Sequence, residues 1–446
     1  VRAQLLVGVV TTAPVVGELA DHPEYSSDLA MDTLRVDVIE VDGSVSEVRE
    51  FVAPEALDWP LSFGVTGAPD VTSVRLRFRL FRASRADTET VARTTASKPW
   101  PETTIDRLVD VALPSSGISD VHVVLDAECL GTPVNLFIPA TTCVMGDTLE
   151  ADPSTGVLAG AATRIDVSEL ALEEPCRGAV RDGRICVAGG FSVLGDATLA
   201  GVVNSEFGST VPLRPVRLKP YWLDQTEFTV GRFRQLSNSG AYSGDPPDLP
   251  DPSDVSKQNC SWLGNDDPSH DALPLNCVSR AAAEAACAAS GGTLPTEARY
   301  EHAARGRGQA RAYPWGSVPP TCCTASLGRQ APIVRGVCAG AGPEAVGSHV
   351  DTASCAGIAD VSRDGVVDLG GSVSEFVLDS FAPYDSPCWT SQGVPVDPEC
   401  QDPTTKLHSM RGGNWSSGLD ASLSALRTWD APGSTAGFRC AYEDAE

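Results

Sequence analysis

Fourteen cysteines in a chain of 446 residues, with no C-x-x-C pair among them, restrict what this sequence can fold into more than any other feature. Without that pair, zinc-ribbon and thioredoxin readings lose their starting geometry. Most of the cysteines instead fall in close couples: Cys129/Cys143, Cys176/Cys186, Cys260/Cys277, Cys338/Cys355 and Cys388/Cys400. Loops rich in Pro and Gly separate the members, which predicts disulfide staples of an exported protein. The competing reading is a set of reduced, buried thiols in the cytosol, and the connectivity is open at this level.

The length exceeds what one hydrophobic core organises, so two domains are expected. Hydrophobic content of 42% is that of an ordinary globular chain. No run approaches ~18 uninterrupted apolar residues, so no membrane-spanning helix is expected. The opening Val1 to Val10 is shorter still and reads as a strand. The sequence has no initiator Met, and a removed secretion signal fits that start. The formal charge is −26, from 59 acidic and 33 basic residues. Such a surface repels nucleic acid and anionic lipid and suits cations or a saline medium.

Residues 1–146 read as an antiparallel β-sandwich of the Ig-like kind. Val74-Arg-Leu-Arg-Phe-Arg-Leu80 alternates apolar and charged residues, predicting one buried face and one wet face. Leu34-Arg-Val-Asp-Val38 repeats the pattern, and Val121-His-Val-Val-Leu125 adds an apolar run. Short strands parted by Pro and Gly turns, with no helical period, are the signature of a sandwich. Residues 147–175, with Asp152-Pro-Ser-Thr-Gly156, read as a linker.

From Cys176 to the end the chain reads as a loop-rich α+β domain with short helices. Thr229 is placed to cap a helix running through Arg234, and Ser279 to cap an Ala-rich run to Cys287 that Gly291-Gly292 closes. Thr296 caps a third, Glu297 to Arg305, with Glu297 and Arg305 at the ends the helix dipole favours. Loops this long need staples or bound ions to hold their shape.

Five segments, in order, carry a resemblance. They are Ile185-Cys-Val-Ala-Gly-Gly-Phe-Ser-Val-Leu-Gly195, then Leu218-Lys-Pro-Tyr-Trp-Leu-Asp-Gln-Thr-Glu-Phe-Thr229. Leu294-Pro-Thr-Glu-Ala-Arg-Tyr-Glu-His-Ala-Ala-Arg305 with Tyr313-Pro-Trp-Gly316 forms the third, and Gly365-Val-Val-Asp-Leu-Gly-Gly-Ser-Val-Ser-Glu-Phe376 the fourth. Arg411-Gly-Gly-Asn-Trp415 and Gly437-Phe-Arg-Cys440 close the series. Together they resemble the formylglycine-generating-enzyme (sulfatase-modifying factor) family. The resemblance implies a C-type-lectin-like fold for 176–446, and it implies a disulfide between Cys287 and Cys440. It also implies that a second family bridge is missing, with Ala304 at one of its positions.

Active members of that family oxidise a substrate cysteine to formylglycine with a copper ion held by two thiolates. Here the interval Asn414 to Arg439 has no cysteine, and the approximate matching positions are Ser417 and Ser422. A protonated serine hydroxyl is a hard, weak ligand for copper(I), so no copper is expected. The tryptophan that lines the family's cleft is replaced by Ser374. A related branch binds iron through a histidine motif. The six histidines of this chain are scattered, with no H-x-x-x-H-x-E arrangement.

Calcium is the expected cofactor. By resemblance its ligands are Asp368, the carbonyls of Gly371 and Val373, and Glu375. These are hard oxygens, with a glycine that permits a tight curl around the ion. A second reading takes Asp360-x-Ser362-x-Asp364-Gly365-x-x-Asp368 as an EF-hand-like loop, although Gly371 stands where that loop needs a bidentate Glu. The family's other calcium site has Ser326 in place of an Asn.

The function expected is a non-catalytic, exported recognition or surface-assembly protein, extracellular or on the cell surface. Its partner would be a protein or glycan ligand, or further copies of the chain, with no nucleic acid and no transmembrane segment. Trp389, Trp415 and Trp429 are the residues that could stack on a ligand near the former cleft, against a default of core packing. The alternative is an enzyme of altered chemistry, cysteine-oxidising or hydrolytic, drawing on Ser417, Ser422, His408 and Asp420.

Overall fold

The computed structural model describes residues 4–19, 30–40, 43–66, 71–137, 139–145, 147–151, 173–201, 207–330, 336–351, 357–389, 394–430 and 436–444. The chain forms two compact units. One comprises Val1–Leu172 with Val211–Pro215 and Tyr384–Pro395, and the other Glu173–Thr210, Val216–Pro383 and Val396–Glu446.

In the first unit four antiparallel strands make one sheet, in the order Val45–Val52, Thr33–Ile39, Ser73–Phe81, Ile105–Ala112. The alternating pattern sets its register. Leu34 lies opposite Leu80, Val36 opposite Phe78 and Val38 opposite Leu76, so the apolar side chains of neighbouring strands share a face. A second sheet has the order Leu61–Thr66, Gln4–Thr11, Ile118–Leu125. Phe63 of this sheet meets Phe51 and Phe78 of the first, with ring centroids 5.4 and 6.4 Å apart.

Three features depart from the sequence reading. Gln4–Thr11 and Ile118–Leu125 run parallel, so the sheets are not wholly antiparallel. The charged face of the first sheet is not left wet. The hairpin Ala86–Val91/Thr94–Pro99 covers part of it, and Arg35 donates to Glu89 at 2.6 Å and to the carbonyl of Ser97. Arg35 and Asp37 are thereby buried, 2.6 Å apart. The segment expected as linker begins as a strand, since Thr141–Val144 pairs with Asp147–Glu150. Residues 152–172 of that segment lie outside the described residues, and Glu174 near its end bridges to Gly189.

The second unit is α+β and loop-rich. Its helices are α1 (Val230–Ser239), α2 (Arg280–Ala289) and α3 (Glu297–Ala304). Each starts at the expected cap: Thr229, Ser279 and Thr296 accept from the third backbone N–H at 3.2, 3.1 and 3.2 Å. Helix α1 runs past Arg234 to Ser239 and stops at Gly240, whose φ of +72° favours glycine. The unit holds two three-stranded sheets, Arg184–Val187, Tyr221–Asp224, Ala441–Glu443, and Glu375–Ser380, His408–Arg411, Arg427–Trp429. Among the described residues no helix is long and apolar enough to cross a membrane.

Disulfides join Cys129 to Cys143, Cys176 to Cys186, Cys260 to Cys277, Cys287 to Cys440 and Cys322 to Cys338. The last corrects the expected Cys338/Cys355 couple. Cys322 and Cys355 lie at nearly equal sequence distances from Cys338, so spacing did not discriminate between them, and Cys355 itself lies outside the described residues.

Candidate functional site

Helix α3 organises the interior of the second unit. Its Glu297 and Glu301 are fully buried and are met by two fully buried arginines from the sheet that packs on it. Arg427 donates to both Glu297 oxygens at 2.6 and 2.9 Å, and Arg411 donates to Glu301 at 2.7 Å. Burying such charges is tolerable only when they are paired and hydrogen-bonded. Burial alone would raise the Glu297 carboxyl, but Arg427 and Arg411 outweigh it and hold the group below its ordinary range. Glu297 therefore does more than complement the helix dipole: it ties α3 to the strand pair.

Beside this frame lies a second buried polar cluster. Arg439 grips Glu375 with Nε and Nη2, both at 2.7 Å, and neither side chain is exposed. The Nη1 of Arg439 donates to the carbonyl of Val367 at 3.1 Å. Asp368, with φ +61°, is buried and accepts the Gly347 N–H at 2.6 Å. Asp360 accepts the Gly370 N–H at 3.0 Å. Glu227, in the turn between Tyr221–Asp224 and α1, is near enough to Asp368 for the two carboxyls to repel. It is 1% exposed, and neither of its carboxylate oxygens has a hydrogen-bond partner. Burial first, and then the charge of Asp368, push the Glu227 carboxyl well above its ordinary range. Asp360 is raised in the same way.

The structure thus brings Asp368 and Glu375 into one cluster but commits Glu375 to Arg439. Gly371 is needed for close approach, because a Cβ there would meet the Ser326 carbonyl at 2.8 Å. Val373 is fully buried beside it. The EF-hand-like reading does not assemble: Asp364 turns to Arg307 at 2.9 Å, and Ser362 is spent on the Val366 N–H at 3.1 Å. Sequence reasoning missed Glu227, whose local Asp-Gln-Thr-Glu context looks like an exposed polar loop.

Every described cysteine is disulfide-bonded. Ser422 donates to the Leu419 carbonyl at 2.9 Å, and Ser417 accepts the Asn414 N–H at 3.3 Å. His408 pairs with Asp430 at 2.8 Å. Ser374 donates to the Gly412 carbonyl at 3.2 Å. The three tryptophans do not form one surface. Trp389 belongs to the first unit, buried edge-on to Tyr384, and Trp415 is buried in the second. Trp429 is half-buried against Phe381, centroids 4.8 Å apart. The partly exposed aromatic pair is another one: Tyr313 and Trp315 stack with their planes 5° apart. A cleft of about 370 Å³ opens elsewhere on the second unit, lined by Arg181, Arg184, Trp222, Thr293, Tyr442 and Glu443. The Arg184 guanidinium sits 3.3 Å over the Tyr442 ring.

Residues 171–444 match the family described as the sulfatase-modifying factor enzyme 1-like domain. No match is found among curated proteins. Among solved structures the chain is similar to PvdO from Pseudomonas aeruginosa, at 20% identity over 58% of this chain and 94% of that one, with a TM-score of 0.42. It is also similar to variable protein 1 of Treponema denticola, at 17% identity over 57% of this chain and 95% of that one, with a TM-score of 0.35.

Proposed function

The chain belongs to the sulfatase-modifying factor enzyme 1-like family, and from that premise we propose that it is an exported, non-catalytic protein that uses this domain as a binding or structural module. One observation carries the reading. All described cysteines are closed in disulfides, and the serines standing where the family resemblance expects thiolates spend their hydroxyls on local turn bonds. Copper(I) needs soft, deprotonated ligands, and neither group supplies one.

Closed disulfides in this number favour an oxidising compartment, hence an extracellular or cell-surface location. A protein or glycan ligand, or another copy of the chain, suits the surfaces available. The Tyr313–Trp315 stack offers a flat apolar face. The arginine-and-aromatic cleft, about 370 Å³, has the size of a small-ligand pocket and sets Arg181 and Arg184 beside Glu443. Titrating the purified full chain with copper(I) against a colorimetric chelator tests the reading. The chain should retain no copper; one equivalent held tightly by the oxidised chain would overturn the proposal.

A further inference from the structure

In the second unit Arg299, Arg411, Arg427 and Arg439 each meet a carboxylate. Arg181 and Arg184, which line the 370 Å³ cleft, meet none among the described residues. The Arg184 guanidinium lies 3.3 Å over the Tyr442 ring, and Nη2 donates to the Ser290 carbonyl at 3.3 Å. Its Nε and Nη1 have no acceptor among the described residues. Arg181 is exposed, and its guanidinium donates to no described residue.

The carboxylates at this end of the sheet are engaged elsewhere. Arg299 holds Glu443 in a bidentate grip at 2.6 and 3.0 Å. Asp444 accepts from the Trp222 indole at 2.9 Å and from the N–H groups of Arg177 and Gly178 at 2.7 and 3.0 Å. Asp182, exposed on the turn between the two arginines, pairs with neither.

One wall of the cleft is the strand Ala441–Glu443. Ala441 exchanges two backbone bonds with Thr293, at 2.9 and 2.7 Å. Alternate residues of a strand turn their N–H and C=O to the same side, so Glu443 presents its own pair beside that of Ala441. The chain does not continue the ladder there. Gly291 folds back at the end of α2 and donates to the Ala288 carbonyl at 2.9 Å. A short strand edge is left open next to two arginines with donors to offer.

We propose that this cleft captures the carboxyl end of an extended peptide, whose main chain continues the ladder on Glu443 and whose carboxylate meets Arg184 and Arg181. The planar fork of a guanidinium matches a carboxylate, and the Tyr442 ring keeps the Arg184 fork in place. A strand edge supplies main-chain bonds independent of the peptide's sequence, and the charged end sets its direction. Glu443 and Asp444 nearby disfavour a doubly charged phosphate, whereas a singly charged carboxylate answers the two arginines. The inference rests on the reading of the domain as a binding module and names the class of its partner.

The test is an array of N-acetylated tetrapeptides with free carboxyl ends, probed with the labelled full chain beside the same array amidated at that end. The wild type should retain a subset of the free acids and lose at least about tenfold in affinity for each on amidation. Arg181→Gln and Arg184→Gln should lose as much on the free acids, and Arg181→Gln should melt with the wild type because its side chain is exposed. If Arg184→Gln does not fold, Arg181→Gln decides alone. Equal retention of the amidated peptides, or undiminished binding by Arg181→Gln, would overturn the proposal. So would an array that retains nothing. None of these outcomes alters the copper titration, so the peptide site can fail while the non-catalytic reading stands.

Discussion

Arg439 and Glu375 form a bidentate pair with both contacts at 2.7 Å and both side chains fully buried. The arginine comes from the closing Gly437–Cys440 segment and the glutamate from the start of a strand 64 residues earlier. The pair fastens the end of the chain to the buried carboxylate cluster.

Removing one partner of such a pair leaves an uncompensated charge in the interior. Arg439→Met is expected to destabilise the folded chain by about 3–5 kcal/mol, measured by urea unfolding. Arg439→Met combined with Glu375→Leu should recover a large part of that loss. Equal loss in the single and double variants would show that the pair is not the fastening.

The Cys287–Cys440 bridge closes the longest disulfide loop defined here, with a sequence separation of 153. Constraint of the unfolded chain over such a loop corresponds to about 5 kcal/mol. The Cys287→Ser/Cys440→Ser double variant should lose stability on that scale in urea, and more than a Cys176→Ser/Cys186→Ser variant, whose loop spans only 10 residues. Alkylation without reduction should label none of the described cysteines, read by intact mass.

His302 predicts a pH dependence of definite sign. It lies fully buried on α3, with Nε2 3.1 Å from the Ala188 carbonyl, and burial lowers its pKa from 6.5 to about 4. The unfolded chain protonates near 6.5 while the folded chain resists until about 4. The stability this group contributes is therefore complete above pH 6.5 and is lost as pH falls toward 4. The loss amounts to about 3 kcal/mol. His302→Gln, which retains a donor for Ala188, should flatten the stability profile across that window. An unchanged slope would assign the acid sensitivity to other groups.

The parts legible in the sequence were those fixed by local pattern. The caps at Thr229, Ser279 and Thr296 act within one turn of their helices, and the alternation in Ser73–Phe81 sets its pairing with Thr33–Ile39. The parts that escaped depend on what folds over what. The hairpin that buries Arg35 and Asp37 is distant from them in sequence, and so is the 436–440 segment that covers Glu227. No local signal separates an exposed glutamate from a buried one, or tells whether Cys338 closes on Cys322 or Cys355. Trp415 fell on the core side of the same ambiguity, buried where an exposed ring would have served a ligand.

The most direct measurement of the central claim is turnover. The purified, disulfide-intact chain is incubated with copper(I), oxygen and a cysteine-containing peptide, and the peptide is followed by mass spectrometry. The account predicts that no formylglycine-containing peptide accumulates, whatever the time or the amount of chain added. Conversion of the cysteine to formylglycine at a rate proportional to chain concentration would contradict it.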